Sequence, residues 1–411
     1  MRKSTQKYRV LVLASTYPRW KRDPEPSFVH TLCTQLNQHY DIRVVSPHSY
    51  GARQKETLEG VSTCRFRYAP YKLETLVFDG GMLANLKRSP WKWLLVPFFM
   101  LGMIIATIRQ VKVFQPHAIH CHWIVPQGFV LWVLSLFIRL PPIVITSHGA
   151  DLFSLQGQIG RLLKRKAIHT ASALTVVSKA MTEEAIQLGA EPNSLHVAPM
   201  GFGFAEASSL RNPPEGRASG RILFVGRLVE KKGLTHLLSI MPDVIAACPT
   251  AHLTIAGGGP ERQALESQAK ELGVIDRVQF LGPVPHEELP ALYQSASVFC
   301  APFVQAKSGD VEGLGLVTLE AISFRCPVLV GNVPAIQDVI PKDHQSWSVG
   351  DPKKHHQFSK ALIQLLTQPP TREDLEDLKR HVETKFSWQH VGENYSQILN
   401  ETIHSRQANG D

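Results

Sequence analysis

Short uninterrupted apolar runs alternate with longer amphipathic stretches along most of the chain. The first run covers residues 9–13 (RVLVL), inside a strand-like stretch over 8–14, and a helical pattern follows near 28–38. Further runs occupy residues 41–45, 118–122, 143–146 and 173–177, and residues 195–199 close the set. Runs of this length read as strands, and their lack of polar alternation reads as burial on both faces, as in parallel sheets covered by helices. The alternation of strand and helix predicts an α/β domain with a mostly parallel sheet and helices on both faces.

A second set begins at residues 221–225 and continues through 252–256, 277–281, 297–300 and 327–330. Between the sets, residues 201–220 (GFGFAEASSLRNPPEGRASG) have the composition of a linker. The expected organisation is an N-terminal Rossmann-like domain over 1–200, a linker over 201–220, and a C-terminal Rossmann-like domain over 221–386. A chain of 411 residues agrees, because it exceeds what one ordinary core accommodates. Two open sheets so joined are expected to face each other across a cleft at their carboxyl edges, where ligands of this architecture bind.

Composition refines this picture. Hydrophobic residues make up 44% and charged residues 19%, the profile of a globular protein. The net charge of +9 is uneven: residues 1–200 hold 24 Lys and Arg against 11 Asp and Glu, and the remainder 20 against 24. A basic N-terminal half implies an anionic partner. Two apolar stretches there, residues 91–108 and 129–138, point to an anionic membrane surface and not to nucleic acid. The basic border consists of Lys87, Arg88, Lys92, Arg109 and Lys112. Residues 91–108 fit three descriptions: a bare bilayer span interrupted by Lys92, Pro97 and Gly102, a buried helix, or a helix with one face on the core and an aromatic-basic rim on lipid. The expected location is cytoplasmic, peripheral on the inner face of the cytoplasmic membrane. Six cysteines without CxxC spacing read as reduced thiols, and the basic start leads straight into a strand without a signal-peptide pattern.

The densest chemistry lies at residues 308–321. Glu312 and Glu320 flank Gly313-Leu314-Gly315-Leu316, so one carboxylate precedes a helix start and the other lies about two turns inside it. The free N–H groups of such a helix start attract an anion. Upstream, Gly226-Arg227-Leu228-Val229-Glu230-Lys231-Lys232-Gly233 follows a strand and offers Arg227 and Lys232 to phosphate. Together these point to a nucleotide-sugar site. Each residue also has an ordinary explanation. A basic turn can be solvated, Glu312 and Glu320 can cap a helix, and Asp310 can shape its loop. Glu320, however, sits among Leu319, Ala321 and Ile322 and needs a partner if buried. His120 and His122 share a strand face and read as structural, not as metal ligands.

With these motifs in order, the chain resembles the retaining family-4 glycosyltransferases of the GT-B fold, two doubly wound parallel-sheet domains. The matching stretches are Thr146-Ser147-His148-Gly149-Ala150-Asp151, the Gly226 to Gly233 segment, Ile255-Ala256-Gly257-Gly258-Gly259-Pro260, Val278-Gln279-Phe280-Leu281-Gly282, and Glu312 to Glu320 followed by Pro327-Val328. His120-Cys121-His122-Trp123 with Pro126-Gln127-Gly128, and Gly309-Asp310, resemble bacterial members that build exopolysaccharide or lipid-linked oligosaccharide.

The resemblance implies that Arg227 and Lys232 hold the donor diphosphate, Glu320 the ribose, and Glu312, with Asp310, the transferred sugar. Backbone N–H groups near Gly315 and Leu316 complete the phosphate cradle, Gly313 and Leu314 also belong to the donor site, and the loop after Phe280-Leu281-Gly282, with Val284, lies near the base. His148 reaches the anomeric centre, Ser27 and Asp151 lie on the acceptor side, and a C-terminal helix over about 387–405 returns to the N-terminal domain. The chain departs from the family pattern at residues 23–28, where a Gly-Gly turn is replaced by Asp23-Pro24-Glu25-Pro26-Ser27-Phe28. A usual glutamate is also missing after Val330.

The implied function is transfer of a hexosyl residue from a UDP- or GDP-sugar to a lipid-linked or glycan acceptor in cell-surface polysaccharide synthesis. No Asp-x-Asp follows a strand, so no metal or other cofactor is expected, and Arg227, Lys232 and helix N–H groups neutralise the leaving diphosphate. Alternatives are a sugar-nucleotide epimerase of the same fold and a non-catalytic nucleotide- or membrane-binding module. A dinucleotide oxidoreductase is disfavoured, because no GxGxxG follows the first strand.

Overall fold

The computed structural model describes residues 7–21, 23, 25–78, 81–203 and 220–408. Most of the expected linker, residues 204–219, lies outside them. The chain divides into two compact units, Met1–Met200 with Trp388–Asp411, and Gly201–Ser387.

The first unit is built on eight strands: β1 (Arg9–Leu13), β2 (Asp41–Pro47), β3 (Lys55–Leu58), β4 (Val61–Phe66), β5 (Ala118–His122), β6 (Ile143–Ser147), β7 (Ala173–Val176) and β8 (Leu195–Val197). They run in the order β3-β4-β2-β1-β5-β6-β7-β8. All neighbours pair in parallel except β3 with β4. Val10, Leu11, Val12 and Leu13 are fully buried, as an unbroken apolar run demands of a central strand covered on both faces. The β3–β4 hairpin is an addition to the sequence reading. Its two-residue turn, Glu59-Gly60, has positive φ at both positions (45° and 85°), the twist that matches a tight hairpin.

The C-terminal helix Trp388–Ala408 packs on this same unit. Tyr395 donates its hydroxyl to the Ala198 carbonyl at 2.9 Å, and the Tyr40 hydroxyl lies 2.8 Å from Asn400 Oδ1.

The second unit carries six parallel strands: β9 (Arg221–Val225), β10 (His252–Ala256), β11 (Val278–Gly282), β12 (Val298–Ala301), β13 (Val328–Gly331) and β14 (Val349–Gly350). Their order is β11-β10-β9-β12-β13-β14. A core of Ile222, Phe224, Leu237, Met241, Ile255 and Phe358 fills one side. Both units are open parallel-sheet α/β domains, as the apolar pattern predicts.

Residues 91–108 are neither a fully buried helix nor a uniform apolar rod. A short turn, Pro90–Leu95, leads into the helix Val96–Phe114. Leu95, Phe99, Met103, Thr107, Gln110 and Phe114, spaced three or four residues apart, are buried. The opposite face exposes Leu94, Phe98, Leu101, Ile105 and Val113, with Trp91 and Trp93 at its start. Lys92 does not belong to the basic border. Its ammonium is turned inward onto the Thr75 carbonyl (2.9 Å) and Asn85 Oδ1 (3.4 Å), because a cation beside a hydrophobic face satisfies its donors internally.

Candidate active site

In the second unit, Gly226 follows β9 and the chain runs through an exposed Arg227 into a single tight turn, Glu230–Lys232. Gly233 closes that turn at φ 69°, and a Cβ there would lie 1.8 Å from the Pro302 carbonyl, so only glycine fits. The close approach brings three successive side chains onto one loop. Glu230 accepts from the Lys307 N–H at 3.0 Å, Lys231 Nζ lies 3.2 Å from Asp310 Oδ1, and Lys232 Nζ lies 2.8 Å from Glu312 Oε2. Lys232 also stands over the Phe303 ring, 4.7 Å from its centroid.

Burial pushes the Glu312 carboxyl up, but Lys232, Lys231 and the Gly315 N–H outweigh it and bring it down to about 2. The carboxylate is therefore ionised at any ordinary pH.

Gly315, at φ 83°, begins the helix Leu316–Ser323, with Gly313 and Leu314 buried just before it. Glu320 is the fifth residue of that helix, in its second turn. Its Oε2 accepts from the Tyr293 hydroxyl at 2.8 Å, and its Oε1 lies 3.4 Å from His286 Nε2. Tyr293 is fully buried, and burial together with the Glu320 charge raises its hydroxyl well above the usual phenol range.

Gly282 and Val284 lie at the end of β11 and on the loop that leads to His286. The Gly282 carbonyl accepts from the Gly257 N–H at 2.8 Å. Gly257 itself has no room for a side chain, since a Cβ would meet the Gly226 carbonyl at 1.8 Å. The glycine run over 257–259 is thus a packing device between neighbouring loops.

In the first unit, His148 follows β6. Asp151, expected on the acceptor side, is instead turned inward. Its Oδ1 accepts from Ser147 Oγ and the His148 N–H, both at 3.0 Å, and its Oδ2 from the Ile124 N–H at 2.7 Å. A carboxylate with its acceptors filled by the loops after β5 and β6 holds the His148 turn and does not reach outward. Burial raises it above the usual range despite those bonds.

The His148 ring stacks on His122 (5.2 Å, 16° between planes), with His148 Nε2 3.0 Å from His122 Nδ1. Phe28 and Trp123 stand 5.0 and 4.9 Å away. His120 joins through Thr146 Oγ1 at 2.8 Å from its Nε2, and lies 4.3 Å from His122 between centroids. Burial pushes His120 and His148 down to about 3 and His122 well below its usual value, so these imidazoles are neutral near pH 7. Among the described residues, no group of three His, Cys, Asp or Glu is disposed to hold a metal ion. Ser27 precedes the helix Phe28–Leu36, and its carbonyl accepts from Thr31.

Lys232, Lys231, Asp310, Glu312 and Gly315 thus meet by direct contact, and Glu320 joins Tyr293 and His286. The participation of Lys231, Tyr293 and His286 was not read from the sequence. Lys231 had a signal, being next to Lys232 in a turn; Tyr293 had none, since only packing brings it under Glu320.

Two family descriptions cover the chain: glycosyl transferase 4-like domain over residues 26–201 and glycosyl transferases group 1 over residues 212–382. The chain belongs to the family-4 GT-B glycosyltransferases. It is 28% identical over 278 residues to a GDP-mannose-dependent alpha-(1-6)-phosphatidylinositol monomannoside mannosyltransferase of Mycolicibacterium smegmatis, covering 65% of this chain and 72% of that protein. A D-inositol 3-phosphate glycosyltransferase of Corynebacterium glutamicum is 26% identical over 340 residues, 75% of this chain and 78% of the relative. In fold it is similar to sucrose-phosphate synthase from Thermosynechococcus elongatus (TM-score 0.75, 19% identity, 97% of this chain and 100% of that one). A family-4 glycosyltransferase acts on a sugar-nucleotide donor, which takes precedence over the epimerase and non-catalytic readings.

Proposed function

We propose that this glycosyltransferase moves a hexosyl residue, with retention and without a divalent metal, from a UDP- or GDP-sugar to a lipid-linked or glycan acceptor used in cell-surface polysaccharide synthesis. The mannosyltransferase relative named above favours GDP-mannose among the donors. The observation that carries the reading is the Lys231-Lys232 turn clamped onto Asp310 and Glu312, immediately ahead of a helix start.

As the glycosyl–phosphate bond breaks, negative charge grows on the departing diphosphate. Lys232 and Arg227 receive it, together with the N–H groups at the start of the Leu316–Ser323 helix. Glu312, ionised throughout, accepts hydroxyls of the transferred sugar once Lys232 turns to phosphate. Glu320 takes the ribose hydroxyls, with Tyr293 fixing one of its oxygens. His148, a neutral imidazole, serves as a hydrogen-bonding group toward the sugar or the acceptor.

The exposed face of Val96–Phe114, bordered by the exposed Lys87, Arg88, Arg109 and Lys112 with Trp91 and Trp93 at one end, supports peripheral attachment to anionic lipid.

The test is a thermal-shift comparison of GDP, UDP and ADP, followed by nucleotide release with and without a membrane-lipid extract as acceptor. One nucleotide should stabilise the protein, by about 2.7 kcal/mol at a hundred times its dissociation constant. Release independent of acceptor, or no stabilisation by any of the three, would overturn the proposal.

A further inference from the structure

The loops that follow β1, β2 and β4 bring three exposed aromatic rings together: Trp20 (39% exposed), Tyr50 (62%) and Tyr71 (42%). Because β1, β2, β4, β5 and β6 are parallel, these loops share the carboxyl edge of the sheet with the loops that carry Trp123 and His148. Ligands of open α/β sheets bind along that edge. Tyr50 and Tyr71 meet edge to face with centroids 5.0 Å apart, and a Cβ on Gly51 would touch Trp20 at 3.6 Å, so Trp20 lies against the backbone next to Tyr50 and the three rings are neighbours on this edge. The other exposed aromatic rings among the described residues are Trp91, Trp93 and Phe98, in the 90–114 segment described above, and Phe137, just after the short helix Phe129–Ser135.

The patch is braced from beneath. Arg19 stands over Trp20 at 4.5 Å and is fixed by Asp23 through contacts of 2.7 and 2.8 Å. Arg67 stands over Tyr71 at 5.1 Å and reaches Glu74 at 3.1 Å. His48, 5.5 Å from Tyr71, pairs with Glu74 through one nitrogen and meets the Ala52 carbonyl at 3.0 Å through the other. Both carboxylates are fully buried, while Lys21, Arg53 and Lys72, in the same loops, are exposed. The outer surface therefore offers flat apolar rings beside the exposed side chains of Lys21, Arg53 and Lys72. A pyranose presents a face of C–H groups that packs on such rings, and cations beside them select an anionic substituent.

We propose that Trp20, Tyr50 and Tyr71 seat the acceptor, and that the acceptor is a saccharide bearing a phosphate or carboxylate group. The assignment rests on the glycosyltransferase reading and specifies its acceptor side. The test uses trigalacturonate and neutral maltotriose as probes, with binding followed by saturation-transfer NMR and calorimetry. Nucleotide binding is measured separately on every variant by thermal shift. Trp20→Ala and Tyr50→Ala should each weaken trigalacturonate about fivefold to tenfold, as loss of a ring contact implies, and Trp20→Phe should weaken it less. Maltotriose should bind more weakly than trigalacturonate to the parent protein, and nucleotide shifts should be unchanged throughout.

Unchanged trigalacturonate binding in both alanine variants, or none to the parent, overturns the seat. Equal binding of maltotriose overturns its anionic character. Loss of binding to phosphatidylglycerol vesicles in place of saccharide binding would make the rings a lipid anchor. Failure of the nucleotide shift in the parent protein would strike the glycosyltransferase reading itself, a separate outcome.

Discussion

The hydroxyl of Tyr293 points at Glu320 and donates to its Oε2 across 2.8 Å, from a position between Phe299 and Phe324 where no solvent reaches it. One oxygen of Glu320 is thereby held by the core and the other lies toward His286. Tyr293 is in this sense a positioning residue for a carboxylate expected to bind ribose.

Tyr293→Phe keeps the ring and its packing and removes only the hydrogen bond. The expected result is a rise of about tenfold in donor KM with kcat nearly unchanged, equivalent to about 1.4 kcal/mol. An equal fall in kcat would show that the bond matters to the transition state and not to donor placement.

Lys232 and Glu312 form a mostly buried pair, so Lys232→Ala should lower both stability and activity, for different reasons. Stability falls because Glu312 is left buried with only Lys231 and Gly315 near it. Activity should fall about a hundredfold to a thousandfold from loss of diphosphate neutralisation. The double variant Lys232→Ala, Glu312→Gln separates these effects, since melting temperature should recover while turnover does not. Near-normal activity in purified Lys232→Ala would remove the assignment.

Acid should act on the two units at different pH. His120 and His148 have folded values near 3 against an ordinary 6.5, so the unfolded chain binds more protons between those values. Their contribution to stability is complete above about pH 6.5 and declines as pH falls toward 3. Glu312 is depressed to about 2 from 4.5, so its contribution is complete above about 4.5 and is lost as pH falls toward 2. Denaturant titrations from pH 8 to 4 should show the slope beginning near 6.5, and His120→Gln should reduce it. For the same reason the pH–rate profile should carry no inflection near 6.5 from His148.

The exposed face of the Val96–Phe114 helix gives a surface test. Co-sedimentation with phosphatidylglycerol vesicles should weaken as salt rises, because the lysines and arginines at its border are screened. Leu101→Glu with Ile105→Glu should abolish it while leaving nucleotide binding intact. Absence of vesicle binding at low salt would retire the attachment.

Much of the architecture is legible in the sequence because central strands must be apolar on both faces. Runs such as residues 9–13 and 221–225 therefore declare themselves, within a residue or so at their ends. The β3–β4 hairpin does not, since Lys55–Leu58 is a polar edge strand and its turn lacks the Asn-Gly or Asp-Gly signal. The spacing of Glu312 and Glu320, and the basic turn after β9, likewise mark a site by local chemistry alone.

Sequence alone determined the alternation of elements, the family, and which residue types stand at the strand ends. Tertiary structure alone decided which way those side chains turn: Asp151 inward to brace His148, Lys92 inward under an apolar helix, Tyr293 beneath Glu320, and three aromatic rings from separate loops onto one edge. The reason is physical. Periodicity and turn chemistry are properties of neighbours along the chain, whereas burial and pairing are set by whichever distant groups the packed core brings within a few ångströms.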